Sequence, residues 1–337
     1  MLTGAGTVIG AAIGARLLKR YPPDWISGKV VLITGGSRGL GLCLAREFGT
    51  AGARLALIAR DREELERAKR LLVSSDVIRS ENVLLIEADL TRPADIAQLV
   101  HRAVDYFGRI DILINNASLI HVGPIEQQPI EVYREAMETG YFAMIETIQA
   151  VLPQMLERGN GVIVNIASIG GKVPVPHLAP YTGMKFAAVG FSETLNAELR
   201  PKGIRVTTVC PGLMRTGSFP NAIVTGDLEK EYRWFAIAST TPGLSHSAEA
   251  AGRKILRAVR AGRAEITIGP DAWLAARFAA VAPETTQMLA GTAGALLLPK
   301  SDSASRPTEA RHIPPPQSRI FRALANRATE QHNEPRP

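Results

Sequence analysis

Apolar residues fall in short, nearly unbroken blocks at 30–33, 55–59, 83–86, 112–114, 162–166, 206–209 and 266–268. Stretches of helical spacing lie between them, among them 63–72 and 95–106. A strand that is apolar on both faces has to be covered on both, and strands alternating with helices are joined as parallel neighbours. The pattern predicts an α/β fold, a doubly wound parallel sheet of about seven strands over residues 29–269, with no internal repeat.

The ends follow other rules. Residues 1–28 open with fifteen uncharged positions rich in Gly, Ala and Ile, followed by Arg16, Lys19 and Arg20. At ~1.5 Å per residue that run is too short for the ~30 Å hydrocarbon core, and it lacks a basic leader, so neither a span nor a secretory signal fits. Gly6, Gly10 and Gly14 recur every four residues, however, which predicts a smooth helical face and membrane contact through the N-terminus. Residues 270–298 hold two apolar helical stretches, 273–281 and 288–298. The tail, 299–337, carries Pro314, Pro315 and Pro316 among many polar residues and is expected to be disordered apart from a helix near 320–328.

Composition narrows the class. With 46% hydrophobic and 21% charged residues the 337-residue chain is ordinary globular protein, neither disordered nor collagen-like. Its two cysteines, Cys43 and Cys210, exclude a disulfide scaffold and suit a reducing, cytoplasmic setting. The net charge of +7 sits at the ends: four basic residues against Asp24 in 1–29, and seven basic against four acidic in 299–337. The body is near neutral, which argues against a nucleic-acid partner.

The first strand runs into Thr34-Gly35-Gly36-Ser37-Arg38-Gly39-Leu40-Gly41, where a helix begins. Glycines allow a tight turn and close approach to a pyrophosphate, and a helix N-terminus offers unpaired amides. A glycine-rich turn without a ligand has the same sequence. So does a hydrolase elbow, because Gly35 to Gly39 also fits G-x-S-x-G with Ser37 as nucleophile. That reading needs a later acid and histidine, and His121, His177 and His246 offer no obvious candidate. The second strand ends at Ala59-Arg60-Asp61. An NAD site places a carboxylate at this tip, whereas Arg60 and Arg38 suit the 2′-phosphate of NADP. Asp61 reads as the start of a capping box.

Tyr181 and Lys185 stand at i and i+4 on one helical face. A cation ~4 Å from a phenol is worth ~4 kcal/mol at an effective dielectric near ~20, enough to draw its pKa toward neutrality. Ser168 closes the apolar strand thirteen residues upstream. A lone Y-x-x-x-K occurs by chance as an exposed pair; the strand-end serine raises its weight.

In these motifs, in this order, the chain resembles the short-chain dehydrogenase/reductase family over residues 29–269. The resemblance implies a Rossmann-like fold and a homo-oligomer. It makes Thr34 to Gly41 the cofactor loop, sets Asp89 and Leu90 at the adenine, and matches Asn116 and Ala117 to the family's N-N-A-G, with Ser118 replacing the last glycine. It gives Ser168, Tyr181 and Lys185 the catalytic roles, Lys185 also holding the ribose, and has Pro211, Gly212, Met214 and Thr216 hold the nicotinamide amide. Gly140 departs from the pattern: the family carries an asparagine there that helps hold a water relaying protons to the lysine. Either an opened helix whose carbonyl replaces the asparagine or a close helix contact would explain the glycine.

The function expected is NADP(H)-dependent hydride transfer to or from a carbonyl or secondary alcohol, with Tyr181 as acid or base. Phe219, Ile223, Val224, Trp234 and Phe235 lie in the segment expected to cover the site, and they point to an apolar substrate unless they are core. A non-catalytic NADP-binding sensor or scaffold is the alternative from another class. No metal is expected.

Overall fold

The computed structural model describes residues 24–300, 305–316 and 318–334. All seven apolar blocks are strands: β1 (Val30–Thr34), β2 (Arg54–Ala59), β3 (Val83–Glu87), β4 (Ile112–Asn115), β5 (Gly161–Ile166), β6 (Ile204–Pro211) and β7 (Glu265–Ile268). They form one parallel sheet in the order β7-β6-β5-β4-β1-β2-β3. Helices α1 (Gly39–Thr50), α2 (Arg62–Ser74), α3 (Pro93–Phe107), α4 (Ile130–Met137), α5 (Ala143–Glu157), α6 (Ala179–Leu199), α7 (Leu228–Thr240) and α8 (Ala248–Arg260) alternate with the strands or follow them.

Alternation along each strand separates two cores. Val31 and Ile33 face Phe48 of α1, Leu65 and Leu72 of α2 and Ile255 of α8. Val30 and Leu32 face Leu99 of α3, Ile148 and Val151 of α5 and Ala188 of α6. Each fully buried Leu, Ile or Phe contributes roughly 1.5–3 kcal/mol, and both layers are needed because every residue of β1 is buried. Strand order reverses between β1 and β4, so the chain leaves their C-terminal ends in opposite directions and opens a crevice there.

After β7 come α9 (Pro270–Val281) and α10 (Pro283–Leu297). Their apolar side chains are largely exposed, and Ala272 is the one residue of the pair that is buried. No helix among the described residues is long and apolar enough to cross a membrane. The glycine-striped N-terminus and its expected membrane contact lie outside the described residues.

The tail corrects the sequence reading. Its helix is present as α11 (Arg319–Gln331), and the described residues around it are packed rather than disordered. Thr308–Glu309 pairs antiparallel with Ile223–Val224, and Ala310, Ile313, Phe321 and Ala325 join Phe219, Val224, Tyr232 and Phe235 in a third core. Polar residues dilute the hydropathy of the tail, but Phe321, Ala325 and Ala328 recur at i, i+4 and i+7 and make one buried stripe.

Candidate functional site

The crevice at the ends of β1 and β4 widens into a cleft of about 540 Å³. The turn after β1 is held from the neighbouring strand end. Thr34 Oγ1 accepts hydrogen bonds from the amides of Asn116 (2.9 Å) and Ala117 (3.1 Å), while Asn116 Nδ2 donates to the carbonyls of Thr34 and Gly35, both at 3.1 Å. Gly35 adopts φ +62°, and a Cβ on Gly41 would stand 1.9 Å from the Gly35 carbonyl. Only glycine fits, and the bared backbone leads straight into the N-terminus of α1. Such a cradle suits the phosphates of a dinucleotide.

Around it lie the other residues expected of a cofactor site. Ser37, Arg38, Gly39, Leu40, Arg60, Asp89, Leu90, Asn116, Ala117, Pro211, Gly212, Met214 and Thr216 all line the cleft. Asp61 caps α2, accepting from Glu64 N at 2.9 Å, as its capping box predicts. Asp61 lies just past the end of β2, where it lines the cleft with Arg60, and both are exposed. Burial works against the charge on Asp89, but the amide and hydroxyl of Thr91, with Arg60 and Arg92, outweigh it and hold the carboxyl below its ordinary value.

Ser168, Tyr181 and Lys185 meet at the other end. Ser168 follows β5, and its Oγ accepts from the Gly170 amide at 3.1 Å, turning the chain into the cleft. The Tyr181 and Ser168 side chains line the same end of the cleft. Lys185 is 3% exposed; its Nζ donates to the Ile166 carbonyl at 3.0 Å and lies 5.5 Å from the centre of the Tyr181 ring. Burial pulls this lysine down to about 8. Burial likewise pushes the Tyr181 phenol up, with the Ser168 side chain opposing it. The sequence reading expects Lys185 to lower the phenol. In this structure the ammonium is engaged with a carbonyl, and desolvation keeps Tyr181 in its protonated form.

Gly140 lies in a widened turn and at a close contact between helices. A π turn at Glu138–Phe142 joins α4 to α5, with the Ala143 amide reaching back to the Glu138 carbonyl, so the helix is widened. A Cβ on Gly140 would also stand 2.5 Å from Sδ of buried Met184, the neighbour of Lys185 on α6. Close approach of two helices accounts for the glycine directly.

The hydrolase alternative fails on geometry. Ser37 Oγ donates to Glu64 Oε2 at 3.1 Å, and no histidine among the described residues is bonded to it. His121 is buried against Glu135, and His177 pairs with Glu231 at 2.9 Å. Of the apolar residues expected to cover the site, Phe219 and Val224 are core, Phe235 is both core and cleft wall, and Trp234 lines the cleft with Leu119, Ile120, Val175 and Leu178. No cluster of metal ligands occurs among the described residues.

One feature of the site has no sequence signal. Arg38 is not free: its Nη1 lies 3.0 Å from Glu64 and its Nε 3.5 Å from Glu334 of the tail. Pairing between positions so far apart in the chain leaves no local pattern.

Comparison with known proteins agrees with this geometry. Residues 29–223 match the family model described as short chain dehydrogenase. The mouse dehydrogenase/reductase SDR family member 7B is 36% identical over 209 residues, 62% of this chain and 65% of the mouse protein; the zebrafish protein of that name is 36% identical over 230 residues, 67% and 74% of the two chains. The match thus spans just under two thirds of the mouse protein. Among solved structures, a short-chain dehydrogenase from Streptomyces avermitilis superposes with a TM-score of 0.67 at 28% identity, covering 80% of this chain and 98% of its own. A variant of the actinorhodin polyketide ketoreductase, solved with NADPH, gives 0.63 at 29% identity and covers 72% and 95%. With more than half its length matched by the family model, and the strand order and glycine cradle to go with it, the chain belongs to the short-chain dehydrogenase/reductase family of oxidoreductases.

Proposed function

We propose that this chain is an NADP(H)-dependent oxidoreductase that moves a hydride between the nicotinamide and a carbonyl or secondary alcohol of an apolar substrate. The observation that carries the reading is the convergence of Ser168, Tyr181 and Lys185 at one end of a cleft whose other end is the glycine cradle with Arg38 and Arg60. NADPH-dependent carbonyl reduction is the working direction.

The cofactor, when bound, supplies the hydride. The chain's own residues handle the oxygen. Tyr181, kept protonated by burial, donates its proton to the substrate oxygen as the alcohol forms. Ser168, in the cleft lining with that phenol, holds the same oxygen. Lys185 sits over the face of the ring and stabilises the phenolate left after transfer. Two arginines at the adenosine end, with Asp61 at the strand tip engaged as a helix cap, support NADP over NAD. Leu119, Ile120, Val175, Leu178, Trp234 and Phe235 give the substrate end an apolar lining, which supports an apolar substrate.

The test is a turnover panel of apolar ketones run with NADPH and with NADH. The expected result is reduction of one or more ketones, faster with NADPH. Tight binding of NADPH with no turnover of any ketone or alcohol would favour a cofactor-binding scaffold, and equal use of NADH would overturn the cofactor assignment.

A further inference from the structure

The last described residues of the chain lie on the phosphate cradle. The last turn of α11 packs on Gly217, where a Cβ would stand 2.8 Å from the Thr329 backbone, and the chain beyond it turns at Asn333 with φ +57°. The amide of Gly39, the first residue of α1, donates to the His332 carbonyl at 2.9 Å. Asn333 Nδ2 donates to the carbonyls of Ser37 (2.8 Å) and Glu64 (3.0 Å), and its Oδ1 accepts from Arg67 Nε at 3.3 Å. Glu334 is buried, accepts from Asn221 Nδ2 at 2.7 Å, and has Arg38 Nε 3.5 Å away. Its Oε1 stands 2.9 Å from where a Cβ of Gly39 would be. The imidazole of His332 is tied to Glu249 at 3.0 Å.

These are the groups that the cofactor reading needs. An α1 N-terminal amide is suited to a pyrophosphate, and Arg38 is one of two cations suited to a 2′-phosphate. Here the amide is paired with a tail carbonyl, and Arg38 is shared between two glutamates. The anchors that hold the tail in place lie elsewhere: Phe321 packs 5.7 Å from Phe219, and Ala325 is fully buried. These α11 contacts do not involve residues 332–334.

We propose that residues 332–334 form a strap that competes with the dinucleotide for the phosphate cradle, with Glu334 setting cofactor preference by engaging Arg38. Cofactor entry displaces the strap, and the cost falls more heavily on NADPH than on NADH because only NADPH calls on Arg38. The proposal rests on the reading that the cleft binds NADP(H).

The test measures dissociation constants for NADPH and NADH with the full chain, with a chain ending at Gln331, and with Glu334→Ala as a variant that keeps the chain length. Ending the chain at Gln331 should tighten NADPH by about tenfold, the scale of one charge-assisted contact, and NADH by less; Glu334→Ala should reproduce part of the NADPH gain. Hydrogen exchange on the full chain gives an independent readout: NADPH should speed exchange in the strap while protecting the cradle. Unchanged or weaker NADPH binding after shortening, or a strap protected by NADPH, would overturn the proposal and leave the cofactor reading standing. Failure of both chains to bind either dinucleotide would overturn the cofactor reading, and the strap with it.

Discussion

The hairpin of α9 and α10 and the tail that follows it are neighbours in sequence and opposites in burial. Leu274 is 64% exposed, and Leu296 and Leu297 are 78% exposed, although almost every side chain around them is apolar. Phe321 is 5% exposed and Ala325 is fully buried, in a segment dominated by polar residues. Hydropathy does not decide between them; a complementary surface does. The tail meets the face of α7 and the edge of Ile223–Val224, and its polar end finds the Ser37 carbonyl as an acceptor and Arg38 and Asn221 as donors to replace water. The hairpin touches the body in places such as Gly294 against Pro176, and its remaining apolar surface meets no such partner among the described residues. Burial of polar groups costs little when each is paired, and apolar groups gain nothing without a surface to cover.

That contrast can be broken at its strongest point first. Phe321→Ala removes the largest anchor of the tail and should cost the docked segment roughly 3–5 kcal/mol, read as faster hydrogen exchange across residues 305–334 with the sheet unchanged. Exchange equal to that of the unaltered chain would mean that the tail does not depend on the third core.

A smaller effect is expected from pH. Burial pushes Glu334 up to about 7, against Arg38, Asn221 and Arg311, while Glu64 adds to the push. A carboxyl raised by docking makes its full contribution below its ordinary value of 4.5 and loses it as pH rises through about 7. The NADPH affinity gap between the full chain and one ending at Gln331 should therefore be wider at about pH 6 than at about pH 8, by up to severalfold. The shortened chain controls for the titration of the cofactor itself. A gap that widens with pH would reverse the assignment.

The smallest effect belongs to the hairpin. Leu297→Ser replaces a side chain that is already 78% exposed and should change the stability read from urea unfolding by no more than about 0.5 kcal/mol. A loss several times larger would mean that this surface is covered in solution.

The same distinction explains what the sequence reveals. Seven apolar blocks report seven strands because a doubly covered sheet buries its inner strands on both faces, and even the half-buried edge strand β7 keeps the apolar pattern. The glycine cradle and the Ser168, Tyr181 and Lys185 set are legible because each is a local pattern: a strand running into a bare helix start, a serine at a strand end, an i, i+4 pair. Gly140 is legible as an anomaly, but the Met184 contact that accounts for it depends on how two helices cross. The engagement of Lys185 with the Ile166 carbonyl is likewise set by the depth of α6 against β5. Least visible is the strap, since Asn333 meets the Ser37 carbonyl across 296 positions of sequence and no periodicity encodes that pairing.

The central claim, that this cleft reduces carbonyls with Tyr181 as the proton donor, is tested most directly by NADPH consumption with a verified apolar ketone. The unaltered chain and Tyr181→Phe would be compared, with NADPH binding measured on the same samples. The account predicts that turnover falls by roughly 10²–10⁴-fold while the dissociation constant for NADPH stays within about twofold. Near-normal turnover by Tyr181→Phe would contradict it.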